Sequence, residues 1–258
     1  MTAAGRLYTT RPPKTFVLPL ELSPILIAMP ILHHYPLSAG SRYVRLILAE
    51  YEETASLVEE QPWERREELL ALNPAGTLPV FIDENDGPIV GATVIAEYLQ
   101  ETRGSRIGEN ALMPSPAPER AEVRRLVAWF LGKLDEEVTG YLVNEKLIKR
   151  VAPTGSGGGP PDAAAIRVAR ANIKPHMRYI GYLAGQRNCL AGRELSFADL
   201  AAAAELSCID YLGEVPWEED AMAKSWYARM KSRPSFRAVL ADLVRGNPPS
   251  THYADLDF

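Results

Sequence analysis

A chain of 258 residues is long enough for one large domain or two ordinary ones. Its apolar fraction of 47% and charged fraction of 24% are those of a globular protein with a full core. A net charge of −5 argues against nucleic acid as a partner, since gripping phosphates needs a concentrated positive surface; Arg65-Arg66 and Arg124-Arg125 sit among carboxylates and read as solvated helix faces. The two cysteines, Cys189 and Cys208, form no C-x-x-C pair and read as buried, reduced thiols. Four histidines lack metal-ligand spacing, and His33-His34 lies in a strand-like run whose neighbours face opposite ways, so no metal site is expected.

In chain order, residues 1–28 carry Arg6, Arg11 and Lys14 ahead of an apolar run from Phe16 to Ala28. Pro19, Glu21 and Pro24 interrupt that run, and it is too short to span a bilayer. It reads as an extension, disordered or not native, with folding expected from Met29 and no membrane insertion. Pro30 to Tyr35 is a predicted strand, followed by a largely buried helix around Arg42–Glu50. A second strand fits Ala55 to Val58, and a helix fits Glu64 to Leu72, stopped by Asn73-Pro74-Ala75-Gly76. Leu78–Asp83 and Pro88–Val90 read as a hairpin around Glu84-Asn85-Asp86-Gly87, and Thr93–Glu101 as a helix. This β-α-β-α-β-β-α order suits a mixed sheet with helices on its faces.

Residues 103–118, with two glycines and three prolines, read as a linker. A long amphipathic helix then fits Glu119 to about Ile148, with Val123, Leu126, Val127, Phe130, Leu131 and Leu134 facing inward. The proline- and glycine-rich stretch 152–162 reads as a loop. Helices are predicted over Ala163–Leu183, bent or broken at Pro175, then Phe197–Leu212 and Ala221–Leu243. With no strand after the linker, the second half is expected to be all-α.

Three segments carry a family resemblance. Asn73-Pro74-Ala75-Gly76-Thr77-Leu78-Pro79-Val80 with Ile95-Ala96-Glu97-Tyr98-Leu99 resembles the sheet edge and third helix of glutathione S-transferases. Gly192-Arg193-Glu194-Leu195-Ser196-Phe197-Ala198-Asp199-Leu200 is similar to that family's buried N-capping motif, in which Ser196 and Asp199 would bond each other's amides. Trp226 to Phe236 resembles its later helix-and-turn segment. The resemblance spans about Met29 to Asp242 and implies a thioredoxin-like α/β domain over 29–103 and a helical bundle over 119–245, with a tail over 246–258. It also implies a cis peptide before Pro79, with Leu78 presenting its backbone to the peptide part of glutathione.

The same resemblance defines what the site should contain. The family's motif at the first helix corresponds to Pro36-Leu37-Ser38-Ala39-Gly40-Ser41, so Ser38, with Ser41 second, would hold the glutathione thiolate if the chain were an enzyme. The family's acidic-Ser pair, which grips the γ-glutamyl end, falls on Gly91-Ala92. Both side chains are gone. Losing two hydrogen bonds to charged groups, each contributing roughly 1.5–3 kcal/mol, would weaken binding by about two to four orders of magnitude. No cofactor and no catalytic residue are therefore expected.

The tail combines Pro248-Pro249 with Tyr253, Asp255, Leu256, Asp257 and Phe258, a pattern that suits docking on a partner as well as folding back on the chain. Within the family, the chain resembles a bacterial non-catalytic branch that binds the tubulin-like division protein FtsZ. That implies a cytoplasmic homodimer at the division site, with Arg124, Trp129 and Phe130 at the subunit interface.

Overall fold

The computed structural model describes residues 29–83 and 86–256; the extension 1–28, the hairpin-turn residues Glu84 and Asn85, and the tail residues Asp257 and Phe258 lie outside the described residues. Four short strands make one mixed sheet: β1 (Ile31–His34), β2 (Ser56–Glu59), β3 (Val80–Ile82) and β4 (Pro88–Val90), in the order β2-β1-β3-β4. β1 pairs parallel with β2 and antiparallel with β3, and β3 pairs antiparallel with β4. The register sets Leu32 opposite Phe81, and both are fully buried. His33 and His34 point to opposite faces, as adjacent strand residues must. The His33 Nδ1 donates to Glu60 Oε1 at 2.8 Å, whereas the buried His34 Nδ1 has no partner within the protein.

Helices α1 (Ala39–Glu50), α2 (Glu67–Leu72) and α3 (Ala92–Arg103) complete the front half. The expected linker contains a 3-10 segment, Gly104–Asn110, before α4 (Ala117–Ala128) opens a helical column over 117–151. This column widens into π-helical turns over Trp129–Thr139 and Asn144–Ile148, interleaved with α5 (Gly140–Val143) and α6 (Lys149–Val151). The back half closes with α7 (Ala163–Gln186), α8 (Phe197–Tyr211), α9 (Ala221–Lys231) and α10 (Arg237–Leu240). One helix expectation is narrowed and another fails. Pro175 does not break α7, because its flanking residues Ile173 and Met177 are buried and packing compensates the missing amide. The expected helix over 221–243 stops at Lys231, since Arg233 is extended before Pro234 and the chain resumes only through a 3-10 turn.

The two halves share one core. All fifteen residues of α8 are buried, so its mostly apolar surface is enclosed on every side, with Asp199, Glu205, Ser207 and Asp210 as its buried polar residues. It packs on α1 of the front half and on α4 and the π-helical segment behind it. The buried Arg42 ties the halves together: Nε donates to Pro36 O at 2.6 Å, Nη1 to Ser207 Oγ at 2.9 Å and Nη2 to Asp242 Oδ2 at 3.3 Å. Arg45 adds two 2.8 Å bonds to the same carboxylate, and Arg233 makes a bidentate pair with Glu50. The predicted cap also forms: Asp199 Oδ2 accepts from the Ser196 amide and hydroxyl, while Oδ1 accepts from Leu190 N and Trp226 Nε1. Cys208 is buried and Cys189 only partly so, and burial pushes both thiols up to about 12.

The tail folds back on its own chain. Tyr253, expected to face a partner, is fully buried with its hydroxyl donating to Val239 O at 2.9 Å and its ring 5.0 Å from that of Tyr211. Arg42 lies over both rings, and Ser250 bonds the Tyr211 and Asp210 carbonyls. The apolar ring outweighed the surrounding polar residues because a deep apolar site was available to it. Asp255 and Leu256 remain exposed.

Candidate functional site

The α1 and α3 N-termini open on the same cleft, of about 430 Å³. Ser38 caps α1, accepting from Ser41 N at 3.2 Å, and its side chain lines the cleft in the positive field of the helix start. Ser41 does not reach it: the side chain is buried and accepts from the Tyr35 amide at 3.3 Å. Leu78 precedes Pro79 through a cis peptide and contributes to the lining.

At the second helix start, Gly91 is the N-cap with φ of +95°, a backbone region that disfavours any residue with a Cβ. Helix α3 begins at Ala92, so Thr93 is not moved into the capping position that could have replaced the missing serine. Ala92 turns its methyl toward α1, where a Cβ built on Gly40 would stand 3.3 Å from it. Neither Gly91 nor Ala92 offers a side-chain donor or acceptor. What remains for an anion is the backbone N–H groups at the two helix starts and the hydroxyls of Ser38 and Thr93, which also line the cleft.

The opposite wall comes from the long helical column and α8. Leu131, Val143 and Ile148 supply apolar surface, and Asp135, Thr139 and Glu205 supply polar groups. Burial raises the carboxyl pKa of Asp135, with Glu136 adding to the effect; burial and the nearby Asp135 hold Glu205 far above the usual carboxylate range. Sequence reasoning missed these residues. The available signal was Glu205 standing as a lone carboxyl within the apolar run Leu200–Leu206.

The three residues expected at a dimer face separate. Phe130 is fully buried in its own subunit's core, which corrects that expectation: a helix whose apolar stripe faces its own bundle has no such ring left for a neighbour. Trp129 turns to α7, donating Nε1–H to His176 Nδ1 at 3.2 Å with its ring 4.9 Å from that of Tyr179. Arg124 is exposed and pairs with Glu97 through bonds of 2.7 and 2.9 Å. Beside that pair lies a hollow of about 220 Å³ lined by Tyr43, Ala96, Met113, Val127 and Phe197.

A thioredoxin-like βαβαββα half carrying its site at the first helix start, followed by a helical half with a buried capping box, is the glutathione S-transferase architecture, and the chain belongs to that superfamily. The family described as glutathione S-transferase, N-terminal domain, matches residues 32–107. Among its relatives, FtsZ-localized protein A of Caulobacter vibrioides (strain NA1000 / CB15N) is 44% identical over 230 residues, 88% of this chain and 97% of that protein. The solved structure of FzlA from C. crescentus superposes with a TM-score of 0.83 at 43% identity, covering 89% of this chain and all of that one. A glutathione S-transferase from Sinorhizobium meliloti 1021 gives 0.87 at 52% identity, with the same coverage.

Proposed function

We propose that the chain is a non-catalytic, dimeric adaptor that associates with FtsZ at the cytoplasmic division site and has lost its hold on glutathione. One observation carries this reading: the two positions at the α3 start where the family carries its acidic-serine grip on the γ-glutamyl group hold a glycine and an alanine. Its relation to FtsZ-localized protein A supports FtsZ as the partner. No described helix is long and apolar enough to cross a membrane.

The second subunit is assigned to the hollow beside Arg124 and Glu97, where exposed charge borders apolar lining. A two-fold pair presents every partner-binding patch twice, which lets one dimer bridge two filaments by avidity. On the tail, the exposed Asp255 and Leu256, with Asp257 and Phe258 beyond them, are the residues offered to FtsZ, and Tyr253 is withdrawn from that set. Co-sedimentation with polymerised FtsZ tests the reading. The chain is expected in the pellet only when polymer is present; a chain that stays in the supernatant at every FtsZ concentration refutes the adaptor.

A second reading, a glutathione-dependent transferase or isomerase, is favoured by Ser38 alone, which stands in the cleft at the α1 start. Its hydroxyl oxygen already serves the Ser41 amide, an ordinary capping role.

A further inference from the structure

Glu205 is 1% exposed on α8, and neither of its carboxyl oxygens has a hydrogen-bonding partner within the protein. Its side chain lines the cleft together with Asp135 and Thr139 of the π-helical segment and Tyr35 of the β1–α1 connection. The Tyr35 hydroxyl, 3% exposed, also lacks a partner within the protein, and the Thr139 hydroxyl, 1% exposed, stands beside Glu205 and slightly offsets the rise in its pKa. Buried polar groups are nearly always paired, because stripping water from them without replacement is costly. Here two carboxyls and two hydroxyls from three separate elements converge on one cavity.

The local backbone explains how they meet. π-Helical turns are rare and recur at functional sites, because each one shifts the side chains that follow. The wide turns over Trp129–Thr139 end where Gly140 donates its N–H to Asp135 O, five residues back, and both Asp135 and Thr139 face the cleft.

All four groups can accept hydrogen bonds, and the two carboxyls can do so as anions only beside a positive charge. The complement is a head with several N–H donors and a full charge. Leu37, Leu131, Val143 and Ile148 line the same cleft and suit an apolar body behind that head. Among the described residues there is no group of three His, Cys, Asp or Glu side chains placed to hold a metal, which favours an organic cation.

We propose that the Asp135–Thr139–Glu205 end of the cleft binds a small organic cation, an ammonium or amidinium head carried on an apolar body. This goes beyond the adaptor reading and holds whether or not FtsZ is the partner. Burial, with Asp135 adding to it, holds the Glu205 carboxyl pKa far above its ordinary value in the free protein. Arrival of the cation stabilises the carboxylate, so the Glu205 proton passes to the buffer.

Calorimetry on the full chain tests this with benzylamine as the probe, benzyl alcohol as its uncharged counterpart and an end-capped lysine peptide as a third arm. Saturable binding of benzylamine is expected, with proton release revealed by repeating the titration in buffers of different ionisation enthalpy. Benzyl alcohol should bind at least about tenfold more weakly, and Glu205→Gln should lose at least about tenfold in benzylamine affinity while its melting transition persists. Should Glu205→Gln fail to fold, Asp135→Asn carries the same expectation. Any of four results overturns the proposal: no benzylamine binding up to millimolar concentration, equal binding of amine and alcohol, unchanged affinity in the folded variants, or binding of the lysine peptide without benzylamine.

Discussion

His34 shows how a single side chain ties this fold to pH. Burial is the main force lowering its pKa from 6.5 to about 4; the Arg45 and Arg42 fields add to that, and Asp242 opposes them. The unfolded chain takes up this proton as pH falls below about 6.5, whereas the folded chain refuses it until about 4. Stability contributed by the neutral imidazole is therefore full above 6.5 and lost progressively down to 4. The loss should be on the order of 3 kcal/mol at the acid end. Urea midpoints recorded from pH 7 to 4 should fall more steeply for the native chain than for His34→Gln; parallel curves would remove His34 from the account. The adjacent His pair was legible as a strand pair facing two ways. The depression was not, because it comes from burial in the folded sheet and from the fields of the α1 arginines, neither of which the local sequence records. Glu205 was hidden for the same reason. A lone carboxyl in an apolar run is visible, but which cavity it faces depends on how α8 meets the π-helical column.

At the scale of elements, local chemistry made the caps and turns readable. Ser196 and Asp199 are three residues apart, so their mutual bonding needs only a helix start between them. Gly91-Ala92 was equally readable, because its meaning depends on counting back within α3. The tail was not. Tyr253, Leu256 and Phe258 look alike as apolar residues on a polar strand, and nothing local says that Tyr253, unlike Leu256, finds a socket between Tyr211, Val239 and Arg42. Deleting the tail from Thr251 onward should therefore cost stability. Tyr253→Ala should destabilise the chain by about 3–5 kcal/mol in urea denaturation, as expected for emptying a fully packed aromatic site. Truncation after Ala254 should leave the midpoint nearly unchanged. If Tyr253→Ala costs under about 1 kcal/mol, a value typical of surface substitutions, the tail does not hold this position in solution. Phe130 teaches the converse: its place on the inward stripe was legible from helical spacing, and that same stripe placed it in its own bundle.

Across the whole molecule, the contacts that unite the halves join residues about two hundred positions apart. Arg42 and Arg45 both converge on Asp242, and the former is entirely enclosed. Asp242→Ala would leave Arg42 buried without its anion, a loss of about 3–5 kcal/mol by analogy with other broken buried pairs. Unfolding followed by tryptophan fluorescence should show it; a variant as stable as the parent would mean that the domain contact is held by apolar packing alone. The order of elements was legible because proline, glycine or a capping residue marks many of their ends, as at Pro36, Asn73-Pro74, Gly91 and Ser196. The docking of the halves was not, because no sequence period records it. The adaptor reading depends on both levels, since the cleft is formed between them and the α3 start closes one end of it. Titration of glutathione into the full chain by calorimetry tests that reading most directly. The account predicts no saturable heat below millimolar concentration. Micromolar binding, with the absorbance of a glutathione thiolate appearing beside Ser38, would contradict it.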